Sequence, residues 1–145
     1  MRCPFCSSED LKVLESRDSE NTVRRRRECN DCEKRFTTYE RIEIDLMVVK
    51  KDGRREIFDR EKLKRGILKA CEKRPVSNEK IDAVVDKIEQ ELRKLDTSEV
   101  NSKIIGDKVS SKLKTLDKVA YIRFASVYKD FKSESDFKEE LKKLK

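Results

Sequence analysis

Four of the five cysteines stand in two C-x-x-C pairs, Cys3-Pro4-Phe5-Cys6 and Cys29-Asn30-Asp31-Cys32, with 22 residues between the pairs. A tight turn inside each pair brings its two sulfurs to one side, and two such pairs complete a tetrahedral four-sulfur site. The chemistry indicated is structural zinc, one Zn2+ per chain, held by Cys3, Cys6, Cys29 and Cys32. A closed four-cysteine site leaves no coordination position for a substrate, so the metal is not catalytic. The competing uses of paired cysteines are redox exchange and disulfide bonding, and both are less favoured in a reducing compartment. The separation slightly exceeds the usual spacing, and the excess fits a longer hairpin between the pairs. The fifth, Cys71, falls on an apolar stripe and reads as a small buried hydrophobe rather than a nucleophile.

Elements that position these cysteines are short and β-prone: Leu11–Leu14, Thr22–Arg26 and Arg35–Glu40. Apolar residues are too few there for an independent core, so zinc must supply most of the folding energy, on the order of 10 kcal/mol. Character changes near residue 45, which divides the chain into 1–45 and 46–145, with a short join over Ile42–Leu46. The second part opens Leu46-Met47-Val48-Val49-Lys50, Lys51-Asp52-Gly53-Arg54, Arg55-Glu56-Ile57-Phe58. Asp-Gly between two β-prone runs predicts a hairpin whose two central positions both take positive φ. Four amphipathic helices follow, each behind a capping residue. Asp59 caps Arg60–Glu72, which Pro75 ends. Ser77 caps the stripe Ile81, Val84, Val85, Ile88, Leu92 and Leu95. Thr97 or Ser98 caps Val100, Ile104, Ile105, Val109 and Leu113. Asp117 caps Ala120, Phe124, Val127, Tyr128 and Phe131. The tail with Phe137, Leu141 and Leu144 adds a short helix. The fold class is therefore α+β: a small N-terminal four-cysteine zinc ribbon followed by a mainly helical domain opened by a β-hairpin.

Charged residues make up 46% of the chain and the net charge is +7. The surplus is not at the cysteine end: residues 1–45 hold ten Lys and Arg against eleven Asp and Glu. Any nucleic-acid contact there must come from local clustering rather than bulk charge. The cluster is Arg24-Arg25-Arg26-Arg27, just before the second cysteine pair, followed by Lys34, Arg35, Thr37, Thr38 and Tyr39. In a strand alternate side chains face opposite ways, so one arginine pair reaches a ligand while the other points elsewhere. The plainer alternative is a solvated strand whose charges are met by Glu20 and Glu28. Beside a metal knuckle, nucleic acid is the favoured reading. Lys50, Lys51 and Lys62 offer cations for a triphosphate near a hairpin and a helix start; otherwise they are strand-edge charges, with Glu56 paired to one of the strand lysines. No G-x-x-x-x-G-K-[ST] loop occurs, and the chain has only three glycines. The absence of His removes imidazole acid–base chemistry. No apolar run approaches a membrane span and no signal-peptide core opens the chain. The expectation is a cytoplasmic protein with no membrane partner.

Met1-Arg2-Cys3-Pro4-Phe5-Cys6, the Arg24–Arg27 run and Arg35-Phe36-Thr37-Thr38-Tyr39-Glu40 resemble the zinc ribbon of the NrdR family, transcriptional repressors of ribonucleotide reductase genes. Val48-Val49-Lys50-Lys51-Asp52-Gly53, with Glu56, Phe58-Asp59 and Lys62, resembles the ATP-cone, a nucleotide-sensing domain. The resemblance covers nearly the whole chain, in the family's order of parts. It implies a ribbon at 1–45 that binds double-stranded DNA upstream of reductase genes, with Arg24, Arg25, Arg26, Arg27, Lys34 and Arg35 as contacts. It implies a cone at 46–145 that takes ATP and dATP as effectors and oligomerises. The implied nucleotide residues are Val48, Lys50, Lys51, Glu56 and Lys62, then Thr97 and Asn101, with Arg123 and Tyr128 closing the pocket from the last helix. ATP and dATP differ by one hydroxyl, and one hydrogen bond is worth about 1 kcal/mol net. A useful switch therefore needs a bistable element, and the expectation is a homo-oligomer whose assembly depends on the nucleotide. Two other classes compete. One is an enzyme, a reductase fragment or NTPase, which the short chain and its committed cysteines disfavour. The other is a zinc-ribbon adaptor for RNA or the transcription machinery.

Overall fold

The computed structural model describes residues 1–19, 22–43 and 45–144. They form two compact units, 1–43 and, from residue 44 onward, the rest of the chain. In the first, β1 (Leu11–Ser19), β2 (Thr22–Cys29) and β3 (Arg35–Arg41) make an antiparallel sheet in that order. The strands run longer than the β-prone runs suggest, because charged residues extend β1 and β2 once backbone pairing is available on both edges of β2. A β-bulge interrupts β1 between Val13 and Glu15. Cys3 and Cys29 are the only buried apolar residues among those described in this unit. It has almost no hydrophobic core.

The second unit has a core. Ile67, Ile81, Val85, Ile88, Leu92, Val109 and Leu113 lie at or below 2% exposure and come from three different helices. These are α1 (Arg60–Ala70), α2 (Asn78–Arg93) and α3 (Ser102–Leu116); α4 (Lys118–Tyr128) adds Ala120, Tyr121 and Ala125. Side-chain oxygens of Asp59, Ser77 and Asp117 accept from backbone N–H groups in the first turns of α1, α2 and α4, where the orphan donors are. Ser133 and Asp136 form a capping box at the start of the tail helix, α5 (Glu134–Lys142). Cys71 ends α1, buried, with its thiol pushed up by that burial, as suits an inert core residue.

Two expectations need correction. The turn between β4 (Met47–Val49) and β5 (Arg55–Ile57) is not the two-residue type with positive φ at both centres. The Gly53 N–H donates to Lys50 O and only Gly53, at φ 84°, is left-handed. That is a longer loop ending in a left-handed glycine. The third helix, moreover, is not capped by Thr97 or Ser98. Residues Glu99–Asn101 form β6, which pairs parallel to β4 with Val100 opposite Val48, and Asn101 caps α3. Val100 and Ile104 stand one helical turn apart in sequence, which mimics a helix stripe. A three-residue strand is too short to show alternation of its own. The sheet order is β5-β4-β6, so β4 is central and both its edges are occupied.

Candidate functional sites: a four-cysteine centre and a cationic cleft

The sulfurs of Cys3, Cys6, Cys29 and Cys32 all lie within 4.8 Å of one another. Cys3 Sγ is 3.6 Å from Cys32 Sγ, and Cys6 Sγ is 3.6 Å from Cys29 Sγ. Zinc–sulfur bonds of about 2.3 Å at tetrahedral angles require sulfurs roughly 3.8 Å apart, so the cluster fits the ion. Both pairs use one backbone device. The Cys3 N–H donates to Ser8 O and the Ser7 N–H to Cys3 O; the Cys29 N–H donates to Lys34 O and the Glu33 N–H to Cys29 O. The residue after each pair, Ser7 at φ 63° and Glu33 at φ 57°, is left-handed. Neither is glycine, so this equivalence leaves no composition signal. Burial raises the Cys3 thiol, but N–H groups of Phe5 and Cys6 and the Cys32 thiol outweigh it and bring it down to about 7. The Ser8 N–H lowers the Cys6 thiol, yet burial and the other cysteines push it up to about 12. Four crowded thiols cannot all ionise unaided; a dication removes that conflict.

The four arginines of β2 are not equivalent. Arg25 pairs with Glu40, and the Arg27 Nε donates to Thr38 Oγ1 at 2.9 Å. Arg24 comes only within 3.8 Å of Glu15. Arg26 has no side-chain hydrogen bond or ion pair among the described residues. Arg35 binds Glu28 at 2.6 Å, which Lys12 also holds at 2.8 Å. Lys34 lies over the Phe5 ring, 5.0 Å from its centroid. Of the two acidic partners expected for this run, Glu28 is thus engaged by other cations, and Glu20 lies outside the described residues, as does Ile44 of the join.

In the second unit a cleft of about 500 Å³ opens between β4–β5, α1, α3 and α4. Val48, Lys50, Lys51, Glu56, Lys62 and Tyr128 line it. Lys50 Nζ and Lys62 Nζ converge on one oxygen of Glu56, at 2.8 and 2.9 Å. The lysines, Lys50 first, hold the Glu56 carboxyl down at about 2. Lys51 Nζ is 5.9 Å from the Tyr128 ring, which stacks on Phe124 at 5.6 Å. Tyr128 Oη lies 2.8 Å from Lys103 O and 3.0 Å from Asp107 Oδ1; burial, then Asp107, pushes the phenol up to about 12, so it stays protonated. An adjoining cleft of about 970 Å³ shares Lys50, Lys62, Phe124 and Tyr128 and adds Lys69, Lys73 and Arg123. Arg123 donates to Glu72 O at 2.6 Å, just past the end of α1.

Two expected residues sit elsewhere. The Thr97 hydroxyl donates to Glu99 O and Asn101 caps α3; neither lines either of these two clefts. Thr97 precedes β6 and Asn101 ends it, a strand that motif spacing did not reveal. Sequence reasoning also missed Gly106. A Cβ there would overlap the Tyr128 ring, so only glycine lets that ring lie against α3.

A four-cysteine ribbon followed by a helical domain with a cation-rich cleft defines a metal-stabilised binding module with an effector domain. Family models agree with each half: "Transcriptional repressor NrdR-like, N-terminal domain" over residues 1–40, and "ATP cone domain" over residues 46–134. The chain is similar to a protein of Pelotomaculum thermopropionicum named "Transcriptional repressor NrdR", 58% identical across 99% of this chain and 89% of that one. Proteins of the same name from Petrotoga mobilis and Clostridioides difficile are each 55% identical, covering 100% and 99% of this chain and 99% and 95% of theirs. The chain belongs to the NrdR family of transcriptional repressors, whose role is not enzymatic. It carries a zinc ribbon with its four cysteines placed for the metal, and an ATP-cone, a domain for ATP and dATP effectors. No described helix is long and apolar enough to cross a membrane.

Proposed function

We propose that this protein represses ribonucleotide reductase genes by binding double-stranded DNA upstream of them, and that ATP or dATP in the cone sets its assembly state and hence its DNA affinity. The ribbon of residues 1–45 makes the DNA contacts, drawn from Arg24–Arg27, Lys34 and Arg35. The cone of residues 46–145 senses nucleotide and oligomerises. Acting on the chromosome places it in the cytoplasm of a bacterial cell. One observation carries the nucleotide half of this reading: Lys50 and Lys62 meet on a single Glu56 oxygen beside the stacked Phe124–Tyr128 pair. Two cations drawn together suit a polyphosphate, and an aromatic wall suits a purine. The carboxylate now between the lysines keeps their charge from repelling the fold until an anion arrives. One ribbon offers few base contacts, whereas ribbons held at fixed spacing in an assembly read a longer site.

The test is the mass of the zinc-loaded full chain with ATP, with dATP and with neither, alongside affinity for a reductase upstream duplex. Assembly size or shape is expected to change with nucleotide, and DNA affinity to follow it. Lys62→Ala is expected to weaken nucleotide binding about tenfold or more, the value of one charged hydrogen bond, with zinc content unchanged. A monomer in every nucleotide state, on and off DNA, overturns the switch.

A further inference from the structure

The ribbon is nearly neutral in total, yet its charge is separated across the sheet. In β2, Arg24, Arg26 and Glu28 share one face, while Val23, Arg25, Arg27 and Cys29 share the other. The β3 register puts Arg35, Thr37, Tyr39 and Arg41 with the first set, and Phe36, Thr38 and Glu40 with the second. The β1 bulge then matters. Lys12 lies opposite Glu28, but past Leu14 the register shifts, so Glu15 lies opposite Arg26 and Arg17 opposite Arg24. Without the bulge Glu15 and Arg17 would face the other way.

The first face thus carries six cations, Lys12, Arg17, Arg24, Arg26, Arg35 and Arg41, against the two carboxylates Glu15 and Glu28. The second carries Arg25 and Arg27 against Asp18 and Glu40, which balance. The two faces differ in the cations left over once carboxylates are matched. On the second face Arg25 is tied to Glu40 and Arg27 to Thr38, across the β2–β3 pair. On the first, Arg26 is without a partner among the described residues, and Arg41 lies over the Tyr39 ring at 4.7 Å from its centroid. Its two carboxylates are already matched, Glu15 by Arg17 at 2.6 Å and Glu28 by Lys12 and Arg35, which leaves Arg24, Arg26 and Arg41 as the surplus.

We propose that the sheet face bearing Arg17, Arg24, Arg26, Tyr39 and Arg41 is the surface that binds the DNA duplex, and that the arginines of the Arg25–Arg27 face are tied within the sheet and do not contact it. This rests on the DNA-binding reading above and says where on the ribbon it acts. The occupant is double-stranded DNA because the face is a twisted β-surface of guanidinium groups, the fork geometry that matches phosphate oxygens and guanine edges. Tyr39 and Thr37 add hydroxyl donors on the same side.

Two pairs of variants of the zinc-loaded, nucleotide-loaded full chain test this, with a reductase upstream duplex and a random-sequence duplex of equal length as probes. Glu15→Gln and Asp18→Asn each remove one negative charge, from the binding face and from the opposite face. Opposite faces are separated by about a Debye length, roughly 10 Å at 0.1 M salt, so only the first is felt strongly by the duplex. Glu15→Gln is expected to tighten binding about threefold or more, and Asp18→Asn to change it less than about twofold. Arg24→Ala with Arg26→Ala is expected to weaken binding to both duplexes by about tenfold or more and to lower the salt slope by about two units, with zinc retained. If Glu15→Gln and Asp18→Asn shift binding equally, or the Arg24/Arg26 variant keeps the wild-type slope, the face assignment is overturned while DNA binding stands. If the wild type binds neither duplex in any nucleotide state, the DNA reading itself fails.

Discussion

The ribbon and the cone solve the problem of folding a highly charged chain in opposite ways. In the ribbon only Cys3 and Cys29 among the described apolar residues are buried, and two hydrogen-bonded knuckles converge four sulfurs. In the cone, α1, α2 and α3 contribute side chains at 2% exposure or less to one core. A core resists local change gradually, because each residue contributes a few kcal/mol. A four-ligand metal site is close to all-or-none, because three ligands do not hold the geometry of four. The lesson is that a metal frees a small domain's surface. With almost nothing needed inside, nearly every ribbon side chain can be charged and turned toward a ligand.

The comparison breaks most readily at the metal. Cys29→Ser is expected to remove zinc and unfold the ribbon, forfeiting stabilisation on the order of 10 kcal/mol, while the cone keeps its helices and binds nucleotide. Metal analysis, circular dichroism and nucleotide titration check this; loss of cone helicity would mean that the two units are one folding unit. The converse variant, Ile88→Ala, opens a cavity in the cone at a site with 0% exposure. It is expected to cost about 2–5 kcal/mol, read as a lower denaturation midpoint, with zinc still bound. Gly106→Ala sharpens the picture of the cleft. The added methyl meets the Tyr128 ring and is expected to cost about 1–3 kcal/mol and to displace the aromatic wall, so calorimetry should show nucleotide affinity falling while zinc content stays. The smallest effect is expected at a knuckle. Glu33→Gly relieves a left-handed non-glycine backbone, and the thermal midpoint of zinc release should rise, by the equivalent of about 1 kcal/mol or less.

Much of this was legible in the residues themselves. The metal ligands follow from spacing, because a C-x-x-C turn is a local structure and needs no distant partner to define it. Caps at Asp59, Ser77 and Asp117 are local for the same reason: a side chain bonding an N–H three residues on depends only on the chain nearby. The helical stripes of the cone follow from a period that repeats within one element. The cleft's lysines came from motif resemblance and Tyr128 from its place in the last helix, and the described geometry brings six of the nine expected nucleotide residues to one cleft and Arg123 to its neighbour.

What tertiary structure alone decided is everything that depends on pairing between distant segments. β6 exists because Val100 has Val48 beside it, 52 positions away in the chain; alone, Glu99–Asn101 is indistinguishable from a helix start. That pairing places Asn101 at the end of β6, where it caps α3. Gly106 matters only because Tyr128 arrives against it. The bulge in β1 is likewise silent in composition, yet it turns Glu15 and Arg17 to the face of Arg24 and Arg26 and Asp18 to the other, which sharpens a charge separation that the β2–β3 register already sets. A sequence determines which side chains are available and the local turns they favour; which of them share a surface is set by register, and register is a property of two strands, not one.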